Sequence, residues 1–175
     1  MLFRSRVARA DEIPAALQAE LITRLAAYDK NMKGRAGDRV NISIVVKAGD
    51  ADSERSAAQL VSALGRVEKV GALPHAETTL AFSSATALAE SCKTSRTAVV
   101  FVTPALAAEV EAIGTALDGV DVLTIAPSAD MTRRGVVLGF ELVSSRPKLF
   151  INLAQAARQN VSMPAEILKL MTVFR

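Results

Sequence analysis

Apolar residues recur along this chain in two rhythms, and the switches between them outline its elements. Val40, Ile42, Ile44 and Val46 alternate with Asn41, Ser43 and Val45, the period of two that sends successive side chains to opposite faces of a strand. A helical spacing takes over at Ala57, Leu60, Val61 and Leu64, with Asp52 or Ser53 as the expected cap and Gly65 as the stop. Residues 67–73 then read as a second, shorter strand, and Leu80-Ala81-Phe82 as an edge segment. Ala85, Leu88, Ala89 and Cys92 form the stripe of a short helix. The next run, Thr97-Ala98-Val99-Val100-Phe101-Val102, has almost no polar residue, the mark of a central parallel strand. Thr103-Pro104 opens a helix carrying Leu106, Val110, Ile113 and Leu117, residues 120–126 make a fourth strand, and residues 127–134 a loop.

The carboxy-terminal third changes the topology. Val136, Leu138, Phe140 and Leu142 alternate, and the positions between them are also mostly apolar, as in a strand covered on both sides. Ser144-Ser145-Arg146-Pro147 breaks the run with turn formers, and Leu149, Ile151 and Leu153 resume it, which predicts a β-hairpin. Residues 154–158 are helix-prone. Pro164 suits the first turn of a last helix, on which Ile167, Leu170, Met171 and Phe174 recur at i, i+3, i+4, i+7 and are expected to face a core. At the other end Asp11 is the expected cap of a first helix, with Pro14 in its opening turn and Leu17, Leu21, Leu25 and Tyr28 down one face. Strands alternating with helices imply right-handed crossovers and a parallel sheet. The expected fold is therefore a three-layer α/β domain over residues 11–175. Its sheet is mostly parallel, flanked by helices, and closed by an antiparallel hairpin and helices.

Several of these stretches carry a resemblance. Phe150-Ile151-Asn152-Leu153 at the end of the hairpin, Ala156-Ala157-Arg158 after it and the Leu-rich segment beyond a short polar link resemble the carboxy-terminal signature of the YfiR-like family. Val122-Leu123-Thr124-Ile125 before an irregular loop, and Arg134-Gly135 after it, are similar as well. The resemblance spans residues 40–171. The first helix departs from it, with Ala27-Tyr28-Asp29-Lys30 where the family has an aromatic-rich helix ending in Trp-Pro. The resemblance implies an exported, non-enzymatic regulator that restrains a membrane signalling protein, a diguanylate cyclase or kinase, from the periplasmic side and so bears on cyclic di-GMP. A homodimer stands beside that partner as a further expectation.

Charge narrows the alternatives. Arg4, Arg6 and Arg9 account for three of the 21 basic residues, which leaves 18 against 18 acidic ones and places the net charge of +3 in the first ten positions. A neutral body with one tyrosine and no tryptophan is a poor nucleic-acid binder, which needs a basic footprint and often stacking aromatics. Ala8-Arg9-Ala10 reads either as the end of a secretory signal, cleaved before Asp11, or as a flexible basic tail. No apolar run approaches the roughly 20 residues of a membrane span. The lone Cys92 excludes an intrachain disulfide.

Catalytic chemistry finds few carriers. Ala48-Gly49-Asp50-Ala51-Asp52 has a single glycine where a dinucleotide fingerprint needs three. Asp50 and Asp52 are similar to the acidic pair of a receiver domain, but Thr103-Pro104 stands where its phosphoacceptor aspartate belongs, so capping and solvation are their expected roles. His75 is expected to be solvated in a loop and Cys92 to be buried and inert. No G-x-S-x-G elbow occurs. No catalytic residue, cofactor or metal site is expected. Two polar features remain. Arg133 and Arg134, placed at the carboxyl edge of the parallel strands, are candidates to contact a ligand or partner through paired guanidinium hydrogen bonds, with an ordinary exposed loop as the alternative. Asn152, inside an apolar strand, is a candidate structural clamp between the hairpin and the helix after it. Two functions compete: a regulator working through its surface, and a small-ligand sensor using the loops after the parallel strands.

Overall fold

The computed structural model describes residues 12–175. The expectations for residues 1–11, the signal end or basic tail and the Asp11 cap, lie outside the described residues. Seven strands form one sheet: β1 (Val40–Lys47), β2 (His75–Phe82), β3 (Val99–Val102), β4 (Leu123–Ala126), β5 (Leu138–Val143), β6 (Arg146–Asn152) and β7 (Met171–Phe174). Their order is β2-β1-β3-β4-β5-β6-β7. The first five are mutually parallel, β6 runs antiparallel to β5, and β7 runs parallel to β6. The architecture is the expected α/β one, a mostly parallel sheet flanked by helices with an antiparallel hairpin in its carboxy-terminal part.

The strand order reverses at β1 and β3, and the helices follow from that reversal. From β1 the chain crosses through α3 (Ala51–Leu64) to β2 on one side. From β3 it crosses through a 3₁₀ turn (Pro104–Glu109) and α5 (Val110–Ala116) to β4 on the other side. Right-handed crossovers in opposite directions land on opposite faces of the sheet. The packing shows it. Ile42, Ile44, Val99 and Phe101 meet Ile22 and Leu25 of α1 (Ala15–Tyr28) and Leu60 and Leu64 of α3 in one core. Val45, Val100 and Val102 meet Leu88 and Cys92 of α4 (Ala85–Thr94) and Leu106, Val110 and Ile113 in the other.

Glycine sets the fit of the next helix. Residues 127–134, expected as a loop, hold α6 (Ala129–Arg134), whose Ser128 hydroxyl accepts from the Met131 N–H as a cap. A Cβ on Gly139 of β5 would run into the Thr132 side chain and the Ser128 carbonyl, and one on Gly135 into the Val110 carbonyl. Only glycine lets α6 lie this close to β5 and α5. The hairpin closes through Ser144 and Ser145, both at positive φ (51° and 61°), the backbone of a two-residue turn matched to strand twist.

The chain then passes through α7 (Leu153–Arg158) and α8 (Ala165–Leu168), with α2 (Met32–Ala36) completing the helices among the described residues. Here and elsewhere the structure corrects the sequence expectations. The last helix stops at Leu168, Leu170 is 70% exposed, and Met171-Thr172-Val173-Phe174 forms β7. That tetrad fits either period, and its β-branched and aromatic residues favour the strand once β6 offers an edge. Residues 67–73 form no strand; Gly71 at φ 59° turns the chain, leaving one bridge between Val70 and Leu73. Asp50, not Asp52 or Ser53, caps α3 by accepting from the Ser53 N–H at 2.8 Å. Of the face expected on α1, Leu25 is buried and Leu17 and Leu21 pack against the core, but Tyr28 is 45% exposed, and Ala19, Ile22 and Ala26 complete the buried side.

Ile151 is 1% exposed in the core shared by β5, β6 and the helices. Ile151→Ala is expected to cost about 2–5 kcal/mol through lost burial and an unfilled cavity. Leu170→Ala is expected to stay within about 0.5 kcal/mol, as a surface change does. Denaturant midpoints of the two variants against the parent check both.

Candidate functional site

An open sheet whose order reverses leaves a crevice outside the carboxyl ends of the strands flanking the reversal. This protein has one there, of about 910 Å³. Phe101, Thr103 and Pro104 at the end of β3 form its floor, and Asp52, Arg55, Ser56 and Gln59 of α3 one wall. Pro127 and Ser128 beyond β4, with Glu141 and Leu142 of β5, form the facing wall, and residues 12–15 with Gln18 close the side. A hydroxyl latch holds the floor in place. Thr103 donates to the Val45 carbonyl at 2.7 Å, and its oxygen lies 3.0 Å from that of Ser53, which accepts from the Lys47 N–H.

Of the charges around the crevice, one is bonded to the backbone and two pair with each other at the surface. Glu141 accepts from the Ala129 N–H at 2.7 Å, so the start of α6 is occupied by the protein's own carboxylate. The Arg55 guanidinium pairs with Asp52 at 3.0 Å, with both side chains largely exposed. Among the described residues no three His, Cys, Asp or Glu side chains stand close enough together to hold a metal.

The arginines expected at this edge lie elsewhere. Helix α6 runs from the carboxyl end of β4 back toward the amino end of β5, and it carries Arg133 and Arg134 to the opposite edge. There Asn152, next to the Leu138–Ile151 pairing, donates to the carbonyls of Thr132 and Arg133 and accepts from the Gln155 N–H. Asn152 thus joins the end of the hairpin to α6 and to the first turn of α7. The two guanidinium groups do not converge. Arg134 donates to Asp130 and to the Ala107 carbonyl, while Arg133 lies 4.8 Å over the ring of Phe174. Phe174 in turn stacks on Phe150 at 5.9 Å, and the Lys148 ammonium sits over Phe150.

Three buried polar groups escaped the sequence reading. Arg35 is sandwiched between Asp29, whose side chain is 0% exposed, and Asp121, 2.7 Å away, and it also donates to the Asn160 carbonyl. Gln155 bonds the Gly114 carbonyl and Gln159, which bonds the Val122 carbonyl, a buried amide chain tying α7 to α5 and to the segment that leads into β4. His75 is not in a solvated loop: it opens β2, and its ring nitrogens face Glu77 and the Val67 carbonyl. No run of types marks the Arg35–Asp121, Gln155–Gly114 and Gln159–Val122 links, since each joins segments remote in the chain. Cys92 lies on the buried face of α4 as expected, and burial pushes its thiol up from 9.0 to about 11.

Fold and crevice together define a doubly wound α/β protein. Within that class the chain belongs to the YfiR/HmsC-like family, which it matches over residues 15–172. No curated protein matches it in sequence. Among solved structures it is similar to a conserved domain protein from Vibrio cholerae, at 14% identity and a TM-score of 0.64, over 93% of this chain and 60% of that one. An ABC domain from Streptococcus pneumonia in complex with L-Trp is similar at 14% identity and TM-score 0.64, over 93% and 62%. A ligand-free, open substrate binding protein with adhesive properties from Clostridium difficile is similar at 10% and 0.58, over 83% and 58%. The chain thus spans about three fifths of the length of these structures, and the likeness shows the shared fold. No helix among the described residues is long and apolar enough to cross a membrane.

Two outcomes test the buried groups. Arg35→Ala strands the Asp29 carboxylate in the interior and is expected to destabilise the protein by about 3–5 kcal/mol, read from denaturant unfolding. Iodoacetamide at pH 8 should alkylate native Cys92 about a hundredfold more slowly than the urea-unfolded chain, because the thiolate is the nucleophile and burial suppresses it. Equal rates would place Cys92 at the surface.

Proposed function

We propose that this protein is a non-catalytic periplasmic regulator that binds a membrane signalling protein, such as a diguanylate cyclase, and restrains it. The observation that carries this reading is membership of the YfiR/HmsC-like family across residues 15–172. Restraint by binding has one physical form: the regulator holds the inactive arrangement of its partner more tightly than the active one. A surface suited to such contact lies on the β6–β7 edge. The file Arg133, Phe174, Phe150, Lys148 stacks two cations on two rings and so presents preordered charge at low entropic cost. Beside it, β7 is the last strand of the sheet, and the exposed side chains of Leu170 and Val143 stand at the hairpin end.

A small-ligand sensor is the second reading, favoured by the crevice of about 910 Å³ at the carboxyl ends of the strands. Two of the similar structures, described as a complex with L-Trp and as a substrate binding protein, are in keeping with it.

The regulator reading is tested in cells and on membranes. Deleting the gene is expected to raise cyclic di-GMP, and the purified protein is expected to pull down a membrane signalling protein. Arg133→Glu with Lys148→Glu is expected to weaken that capture roughly tenfold or more, as charge reversal at an interface does. Unchanged cyclic di-GMP and kinase signalling in the deletion strain, with no signalling protein recovered, would contradict it.

A further inference from the structure

We infer that the crevice is a binding site for a small organic cation, an amine carried on an apolar body. This inference rests on the ligand-sensing reading and is independent of the membrane partner. The volume of about 910 Å³ lies at the upper end of the range for small-molecule sites. It opens where the strand order reverses, so its walls come from separate connections and leave a gap that no side chain of the fold fills.

Charge decides the class of ligand. Crevices of this kind often take anions, because the first N–H groups of the helices point at the ligand. At α3 and α6 those positions are already taken by the protein's own acceptors, while α1 opens on the crevice without a side-chain cap. Asp50 caps α3, Ser128 caps α6, and Glu141 accepts from the Ala129 N–H. The described lining then carries three carboxylates, Glu12, Asp52 and Glu141, against one guanidinium, Arg55, itself paired with Asp52. An entering anion meets net negative charge and, at α3 and α6, occupied donors. An entering cation meets carboxylates with open acceptor capacity, since the bond from Ala129 uses one of about four lone-pair sites on Glu141. Leu142 and Pro127 of the facing wall, with Pro104 on the floor, supply the apolar contact for a hydrocarbon body.

The test uses two probes of one body and opposite charge, phenethylamine and hydrocinnamate, titrated into the full chain by calorimetry. Heat rather than fluorescence is read because the chain has no tryptophan and one tyrosine. Phenethylamine is expected to bind and hydrocinnamate to give no heat. Glu12→Gln with Asp52→Asn is expected to weaken the amine about tenfold, the scale of a lost bond to a charged group. Ser56→Trp, which fills the crevice from α3, is expected to abolish binding with the circular dichroism spectrum unchanged. Amine binding that survives a folded Ser56→Trp variant would place the site elsewhere and overturn the proposal. Hydrocinnamate binding that Ser56→Trp abolishes would overturn the cationic class while leaving a ligand site. Silence from both probes would overturn the site and the ligand-sensing reading together.

Discussion

A parallel strand buried on both faces has to satisfy two cores at once, and β1 is where this protein meets that demand. Its Ile42, Ile44 and Val46 enter the core under α1 and α3, while Val45 enters the core under α4 and α5. Because β1 pairs with β2 on one side and β3 on the other, the crossovers leave in opposite directions. The two helical layers, the gap between their starts and the crevice above the strand ends all descend from that pairing. The Ser53–Thr103 hydroxyl contact, buried at the junction of β1, α3 and the end of β3, fixes the spacing at the reversal. A hydroxyl pair suits the place: the Lys47 N–H finds its acceptor in Ser53, and the Val45 carbonyl accepts from both the N–H and the hydroxyl of Thr103.

Hydrophobic burial leaves the carboxy-terminal elements less determined, because short helices slide over an apolar surface at little cost. Directional bonds supply the missing precision. The Gln155–Gln159 chain allows one seat for α7 against the carbonyls of Gly114 and Val122. The Asp29–Arg35–Asp121 cluster ties the end of α1 and α2 to the segment before β4 and, through Asn160 and Ser162, to the link after α7. A buried ion pair of this kind adds little net stability, yet mismatched alternatives strand a charge.

Much of this fold was legible in the sequence where a period and a boundary agreed. The alternation of β1, the polar-poor run of β3, the stripe of α4 and the hairpin broken at Ser144-Ser145 each have one reading. Legibility failed where a short segment satisfied two periods. Met171 to Phe174 fits a helix stripe and a strand equally, and the open edge of β6 decided it. It failed again where small residues carry the packing. Gly135 and Gly139 seat α6 by what they lack, and Ala19 and Ala26 share the buried face of α1 with Ile22 and Leu25. The crevice was legible as a region, through the rule for strand ends, but not as a set of residues. Arg133 and Arg134 drew attention as a pair, and the helix that replaces their loop carries them to the other edge of the sheet.

The central claim is that the protein acts by binding one state of a partner better than another. The affinity of the purified protein for the periplasmic domain of a membrane-bound diguanylate cyclase, held by crosslinking in its inactive and then its active arrangement, tests this most directly. The account predicts tighter binding to the inactive form, by a factor at least as large as the restraint seen on cyclase output. Equal affinity for the two forms, however tight, would contradict it.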